Sequence, residues 1–275
     1  MNELFFKNFD YKVLNNFHRV CRVRERNTST DLSTDTTKLN YTKNSKRLVV
    51  GKTHYNTPSL ICSYDTDFRF NKDLSINLYE FLILINKFQK KLPIITLEKD
   101  NHLHIKYSDT SMSNLSLNEE FSNEYEKRIP ILDENKKDFS FKLNRDFFKE
   151  IENVKLKLRH KFSFKHTAFI SDKKELSFTM YNDIDELFKE RGGLQSISFP
   201  ISKIEKQFKI KLNSDQLKFI TNFFVSDYEV SSYENRKYLV FKNIYKPLKY
   251  FLFLTDKKLE PKPTPDSKKE SKSNA

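Results

Sequence analysis

Asp65 and Asp67, two residues apart in YDTDF, are the carboxylates best spaced to organise a reaction on phosphate. Such a pair can hold Mg²⁺ for phosphoryl transfer. Asp in a turn between strands also simply accepts backbone hydrogen bonds, and that is the expected role here. His102 and His104, in HLH, fall on one side of an extended chain and could ligate a metal, but no Cys pair or carboxylate cluster nearby completes a site. Cys21 and Cys62 lie outside any CxxC pattern and are expected as free thiols. With only Gly51, Gly192 and Gly193 available, neither a GxxxxGK[ST] phosphate loop nor a GxGxxG fingerprint can be built. Nucleophile elbows and Cys–His patterns are absent too. The expectation is a protein with no catalytic, metal or cofactor site; a Mg²⁺-dependent DNA-processing enzyme using the two aspartates is the weaker alternative.

What remains is charge. The 275 residues carry a net charge of +13, and residues 1–60 alone hold eleven Lys/Arg against five Asp/Glu. Such a balance draws polyanions, nucleic acid first among them. Hydrophobic residues at 37% and aromatics at 14% are enough to bury a core, and the length suits two domains. No run approaches the roughly 20 apolar residues of a membrane span, and MNELFFKNFDYK lacks the apolar core of a signal peptide. A soluble, cytoplasmic protein is expected.

The elements that would position the cations follow one order, repeated. Phe6, Phe9, Val13, Phe17 and Val20 recur at three and four and predict a helix. Arg22 to Thr42 shows no apolar period and reads as a loop. Arg47–Lys52 and Ser59–Tyr64 form a hairpin across HYNTPS, and Phe68 and Phe70 alternate in a further strand that leads to Leu74 and Ile76. Asn77 then caps a helix over Leu78–Phe88. IITLEKDNHLHIKYSD is a hairpin, with Met112–Leu117 as its third strand. In the second half Asn144 caps a helix striped by Phe147, Phe148, Ile151, Val154 and Leu158. Hairpin His166–Tyr181 and the β segments SISFPIS and QFKIKL follow, and then comes a helix over Ser214–Val225 with Leu217, Ile220 and Phe224 inward. YEVSSYENRKYLVFKN and PLKYFLFL close the chain as strands. The equivalent joints FNKDLSINLYEFLILINKF and FKIKLNSDQLKFITNFF each run a strand straight into a capped helix. This order predicts an α+β fold of two similar domains, each with two helices on antiparallel sheet.

On LSINLYEFLILINKF with ITLEKDNHLHIKYSD, and NRDFFKEIENV with TAFISDKKELSFTMYND, the chain resembles the DNA polymerase sliding clamps, specifically the two-domain, trimeric form of T-even-like tailed bacteriophages. The resemblance spans roughly residues 5–255 and rests on pattern, since these clamps have no short invariant motif. It implies a DNA clamp fold with an N-terminal domain over 1–117 that includes an enlarged loop at 22–46, a connector at 118–140, a C-terminal domain over 141–255, and a basic disordered tail at 256–275. It further implies a homotrimeric viral replication protein whose ring encloses double-stranded DNA, tethers the replicative DNA polymerase and is opened by an ATP-dependent clamp loader.

DNA-facing candidates on the implied inner helices are Lys12, Arg19, Lys87, Lys90, Lys91, Arg145, Lys149 and Lys218. In the charged connector, where Glu119, Glu120, Glu124 and Glu126 read as solvated, Ile129, Pro130, Ile131 and Leu132 are apolar. These four either border a pocket for client peptides or dock the connector on the sheet. Unlike many clamps, which are acidic outside the hole, this chain is basic overall, which also fits a monomeric clamp-fold factor gripping DNA through one basic face.

Overall fold

The computed structural model describes residues 3–5, 7–22, 24–26, 33–54, 57–86, 93–97, 102–108, 111–117, 124–157, 166–181, 196–223 and 225–254. One pattern, strand, helix and three-stranded meander, occurs four times. The first unit is β1 (Glu3–Phe5), α1 (Asn8–Cys21), a short hairpin of β2 (Arg24–Arg26) and β3 (Ser33–Asp35), then β4 (Lys38–Thr42), β5 (Arg47–His54) and β6 (Thr57–Asp65). The second is β7 (Leu74–Asn77), α2 (Leu78–Asn86), β8 (Ile94–Leu97), β9 (His102–Ser108) and β10 (Ser111–Ser116). After a connector containing the single turn α3 (Glu124–Lys127), the third is β11 (Lys137–Leu143), α4 (Arg145–Lys157), β12 (His166–Ser171), β13 (Leu176–Tyr181) and β14 (Ser196–Ser202). The fourth is β15 (Phe208–Leu212), α5 (Ser214–Asn222), β16 (Tyr228–Tyr233), β17 (Tyr238–Asn243) and β18 (Leu248–Phe253).

Within each half the two units exchange their first strands. β7 pairs with β4 and β1 with β8; β15 pairs with β12 and β11 with β16. Strand β18 then pairs with β6, antiparallel, with Leu248 opposite Tyr64 and Leu252 opposite Leu60. The result is an eight-stranded sheet, β11-β16-β17-β18-β6-β5-β4-β7, running across both halves, with the four-stranded sheets β1-β8-β9-β10 and β14-β13-β12-β15 beside it.

Alternation along the central strands divides the core in two. Leu48, Val50, Leu60, Cys62, Phe241, Tyr250 and Leu252 join the buried faces of the helices in one large cluster. Val49, Ile61, Val240 and Phe251, one residue out of step, face the other way in a second. All four long helices contribute to the first cluster and so lie on one side of the central sheet. They form a row, α2 against α1, α1 against α5, and α5 against α4. The seam between halves is sealed by Tyr250, whose hydroxyl accepts from Asn16 Nδ2 at 2.7 Å while its ring stacks on Phe223 at 4.1 Å between centroids.

Sequence capping signals hold at three helices. Asn77 Oδ1 accepts from the amides of Tyr79 and Glu80, Asn144 Oδ1 from that of Phe147, and Asn213 with Gln216 forms a reciprocal capping box on α5. Other expectations need correction. The stretch from Arg22 is not a loop throughout: β2, β3 and β4 occupy part of it. Leu39 and Tyr41 give β4 its buried face, too short an alternation to stand out among Thr and Asn. Asp35 also pins this stretch to both helices of the first half, accepting from His18 Nε2 at 2.6 Å and, through its carbonyl, from Asn77 Nδ2. Phe68 and Phe70 are buried but form no strand; Tyr41 Oη donates to the Phe68 carbonyl and holds the segment irregular. Strand β11 begins at Lys137, inside the span read as connector. On α5 the buried stripe is Phe219 and Ile220, continued by the C-cap residue Phe223, with Leu217 only partly covered. Phe6, Leu158, Phe224 and the tail from 256 lie outside the described residues or side chains.

Candidate nucleic-acid interface and connector

Because each helix buries the stripe that meets the sheet, the opposite stripe is fixed by the same period. On α1 the buried Val13, Leu14 and Phe17 leave Lys12 and Arg19, seven residues apart, exposed together on the far side. Arg19 reaches the neighbouring helix, its Nη2 donating to Asn222 Oδ1 of α5 at 3.3 Å. On α4 Arg145 and Lys149 are exposed opposite Phe148 and Ile151, and on α5 Lys218 is exposed opposite Phe219 and Ile220. Five of the eight cations thus sit on outward stripes of three adjacent helices. Lys87, Lys90 and Lys91 lie outside the described residues.

This lining is mixed in sign. Lys149 Nζ is 3.4 Å from Asp146 and Lys218 Nζ 3.2 Å from Asp215, both pairs well exposed. Exposed pairs of this kind are worth about 0–1 kcal/mol, so a phosphate can take either lysine at little cost. The described part of α2 offers no cation on its outer stripe, which carries Glu80 with Tyr79 at 44% and Ile83 at 41% exposure. Asp227 accepts from the Arg145 amide at 2.8 Å and from Tyr245 Oη, and these bonds hold its carboxyl below the ordinary carboxylate range. It thereby fixes the start of α4.

The connector residues separate into two groups. Ile129 and Leu132, with Tyr125, pack on the outer face of the central sheet against Val49, Ile61, Tyr233, Tyr238, Val240 and Phe251. Ile131 is 97% exposed and Pro130 partly so. Glu126, read as solvated charge, instead accepts from the hydroxyls of Thr42 and Ser45. Tyr125 lies on Gly51 of β5 so closely that a Cβ there would stand 2.1 Å from its ring. That role was invisible in sequence, where Gly51 looked only like a strand glycine. Burial pushes the Tyr125 hydroxyl above its ordinary pKa.

The aspartates weighed for metal chemistry are drawn to different cations. Asp65 Oδ1 meets Arg47 Nε at 2.7 Å, and the exposed Asp67 meets Lys7 Nζ at 3.2 Å. Nε2 of His102 lies 3.1 Å from Ser116 Oγ. Among the described residues no three His, Cys, Asp or Glu side chains converge as metal ligands, and no helix is long and apolar enough to cross a membrane. Cys21 and Cys62, far apart in sequence, are free and fully buried with their sulfurs 3.5 Å apart between α1 and β6.

The same architecture recurs in solved structures. A DNA polymerase III beta subunit from Eubacterium rectale superposes with a TM-score of 0.61 at 12% identity, over 93% of this chain and 66% of that one. Archaeal PCNA from A. fulgidus, solved with the C-terminal region of FEN-1, gives 0.61 at 15% identity over 93% and 98%. The Helicobacter pylori beta clamp bound to a DNA ligase peptide gives 0.60 at 13%, over 92% and 65%. The fold is that of a sliding clamp. No protein-family model and no curated protein matches the chain. It spans about two thirds of the bacterial beta subunits and nearly the whole of the archaeal clamp.

The four repeats differ in what their last strands meet. β6 and β18, the third meander strands of units one and four, pair with each other across the seam. β10 and β14, their counterparts in units two and three, end their sheets with no partner among the described residues.

Proposed function

We propose that this chain is a non-enzymatic processivity clamp: three copies close head to tail into a ring around double-stranded DNA and hold the replicative DNA polymerase on it. The observation that carries the reading is the pair of edges left without a partner among the described residues. An exposed strand edge is a template for pairing, and β10 and β14 occupy in the repeat the places that β18 and β6 fill at the seam. Antiparallel addition of one copy's β10 to the next copy's β14 would repeat the internal junction between molecules. A head-to-tail contact of this type makes a closed ring when its rotation closes. The trimer is what the resemblance to two-domain phage-type clamps implies, and so is the division into two domains, the second starting with β11 at Lys137 and not at 141.

The row of four helices would then line the hole. Lys12, Arg19, Arg145, Lys149 and Lys218, with Lys87, Lys90 and Lys91 beyond α2, would meet phosphates without reading bases, so the ring slides. Topology replaces affinity, which suits a mixed-sign lining. An ATP-dependent loader would open the ring, and clients would dock by short peptides near Ile129, Pro130, Ile131 and Leu132, as a FEN-1 segment and a ligase peptide are bound to the compared clamps.

The charge of +13 favours a second reading, a monomer gripping DNA through its basic helical face. The molar mass in solution separates the two. The ring predicts three times the 33.0 kDa of one chain; a single-chain mass at micromolar concentration supports the monomer and overturns the ring.

A further inference from the structure

Strands β11, β16, β17 and β18 carry a row of charge on the face turned away from the helices. Lys142 stands opposite Glu229, Glu229 opposite Lys242, and Lys242 opposite Lys249. Each is next in sequence to a residue of the helix-side core, Leu143, Tyr228, Phe241 and Tyr250 in turn, so all four project outward. With neighbouring strands about 4.8 Å apart, the row extends over roughly 14 Å.

Its single acid is already taken. Lys137 Nζ lies 3.2 Å from Glu229 and also pairs with Glu134. Lys137 holds the Glu134 carboxyl below its ordinary range, with smaller contributions from Lys242 and Lys249. Lys142, Lys242 and Lys249 themselves form no ion pair among the described residues.

The needs of the fold do not account for this row. Like charges directly opposite one another destabilise a sheet, and the usual structural use of lysine in a strand is to keep other chains off an open edge. Both β17 and β18 have hydrogen-bonded neighbours on each side, so Lys242 and Lys249 guard no edge. Beyond them the β17–β18 turn exposes Ile244 at 47% and Tyr245 at 68%. Tyr245 Oη donates to Asp227, which lines a cleft together with Lys142 and Ile244. An exposed aromatic ring therefore stands beside the lysines.

We propose that this outer face binds single-stranded nucleic acid, with phosphates along Lys142, Lys242 and Lys249 and a base stacked on Tyr245. Flexible cations next to an exposed ring suit a single strand held without sequence preference, because phosphates supply the affinity and every base has a face to stack. An acidic peptide would engage the lysines but gains nothing specific from the ring. The track lies across the central sheet from Lys12, Arg19, Arg145, Lys149 and Lys218. It needs neither a closed ring nor a peptide client, so its failure leaves the clamp reading standing.

The probe is a short fluorescent oligothymidylate, followed by anisotropy across a salt series. Lys142→Ala/Lys242→Ala/Lys249→Ala should make the slope of log affinity against log salt shallower by about 2, since each contact to a single strand contributes about 0.7; circular dichroism verifies the fold. Tyr245→Ala should weaken binding at least about fivefold at unchanged slope. Lys12→Ala with Arg19→Ala, on the helix face, should leave the single-strand slope as it is. No binding by the unaltered chain, an unchanged slope in the triple variant, or loss only in the helix-face variant overturns the proposal. So does displacement by polyglutamate of matched charge that is as complete as displacement by unlabelled oligothymidylate, which would make the face a dock for acidic protein. Photocrosslinking of a thiothymidine oligonucleotide to the unaltered chain decides the case should the variants not fold: attachment within β11 or β16 to β18 supports the track, and attachment confined to the helices refutes it.

Discussion

Replacing Gly51 by Ala should destabilise this protein, against the ordinary direction for a glycine in a strand. Gly loses more backbone freedom on folding than Ala, and the exchange normally gains about 0.5–1 kcal/mol where the backbone accepts Ala. Here the added Cβ would stand 2.1 Å from Cδ1 and 2.3 Å from Cγ of Tyr125. The ring must lift, and overpacking of this kind costs about 1–3 kcal/mol. The sign should reverse in a Tyr125→Ala background, where only the strand preference remains. A double-mutant cycle should therefore give a coupling of about 2 kcal/mol or more. Urea unfolding followed by far-UV circular dichroism measures it as a shift of midpoint at constant slope. If Gly51→Ala is neutral or stabilising in the unaltered chain, or if the two changes add, Tyr125 does not rest on β5 and the account of the connector is wrong.

Two further outcomes follow from the helices and their supports. Burial tends to raise the pKa of Asp35, but hydrogen bonds from Thr37 and His18 outweigh it and hold the carboxyl below its ordinary 3.8. Its contribution is therefore present above pH 3.8 and is lost as pH falls through the lower folded value. Asp35→Asn should cost about 1.5–3 kcal/mol near neutrality and flatten the acid limb of a stability–pH curve; an unchanged limb refutes it. Lys12→Ala with Arg19→Ala should weaken binding to short linear duplex and make the slope of log affinity against log salt shallower by about 1.8, while an unchanged slope would remove α1 from the DNA-facing set.

The helices and hairpins were legible because local rules sufficed. Asn77, Asn144 and the Phe face of α4 act within one turn of their own helices, and the fourfold order surfaced as two similar halves. What was not legible is non-local. The exchange of β1, β7, β11 and β15 between units leaves no mark in any single segment. The short strand β4, with two buried hydrophobic residues among Thr and Asn, carried too little pattern to separate it from a loop. Ile129 and Leu132 could be marked as apolar in a charged connector, but their difference from the exposed Ile131 depends on which face of the sheet they meet. Gly51 and Glu126 carried no signal, since each matters only through a residue more than 70 positions away in the chain.

The claim that this chain acts by enclosing DNA is tested most directly by loading it on a nicked circular duplex, isolating the complex in moderate salt, and cutting the circle once. The ring predicts retention on the circle and prompt loss through the new ends. Equal retention before and after the cut would mean that the protein holds DNA by its charge and not by its topology.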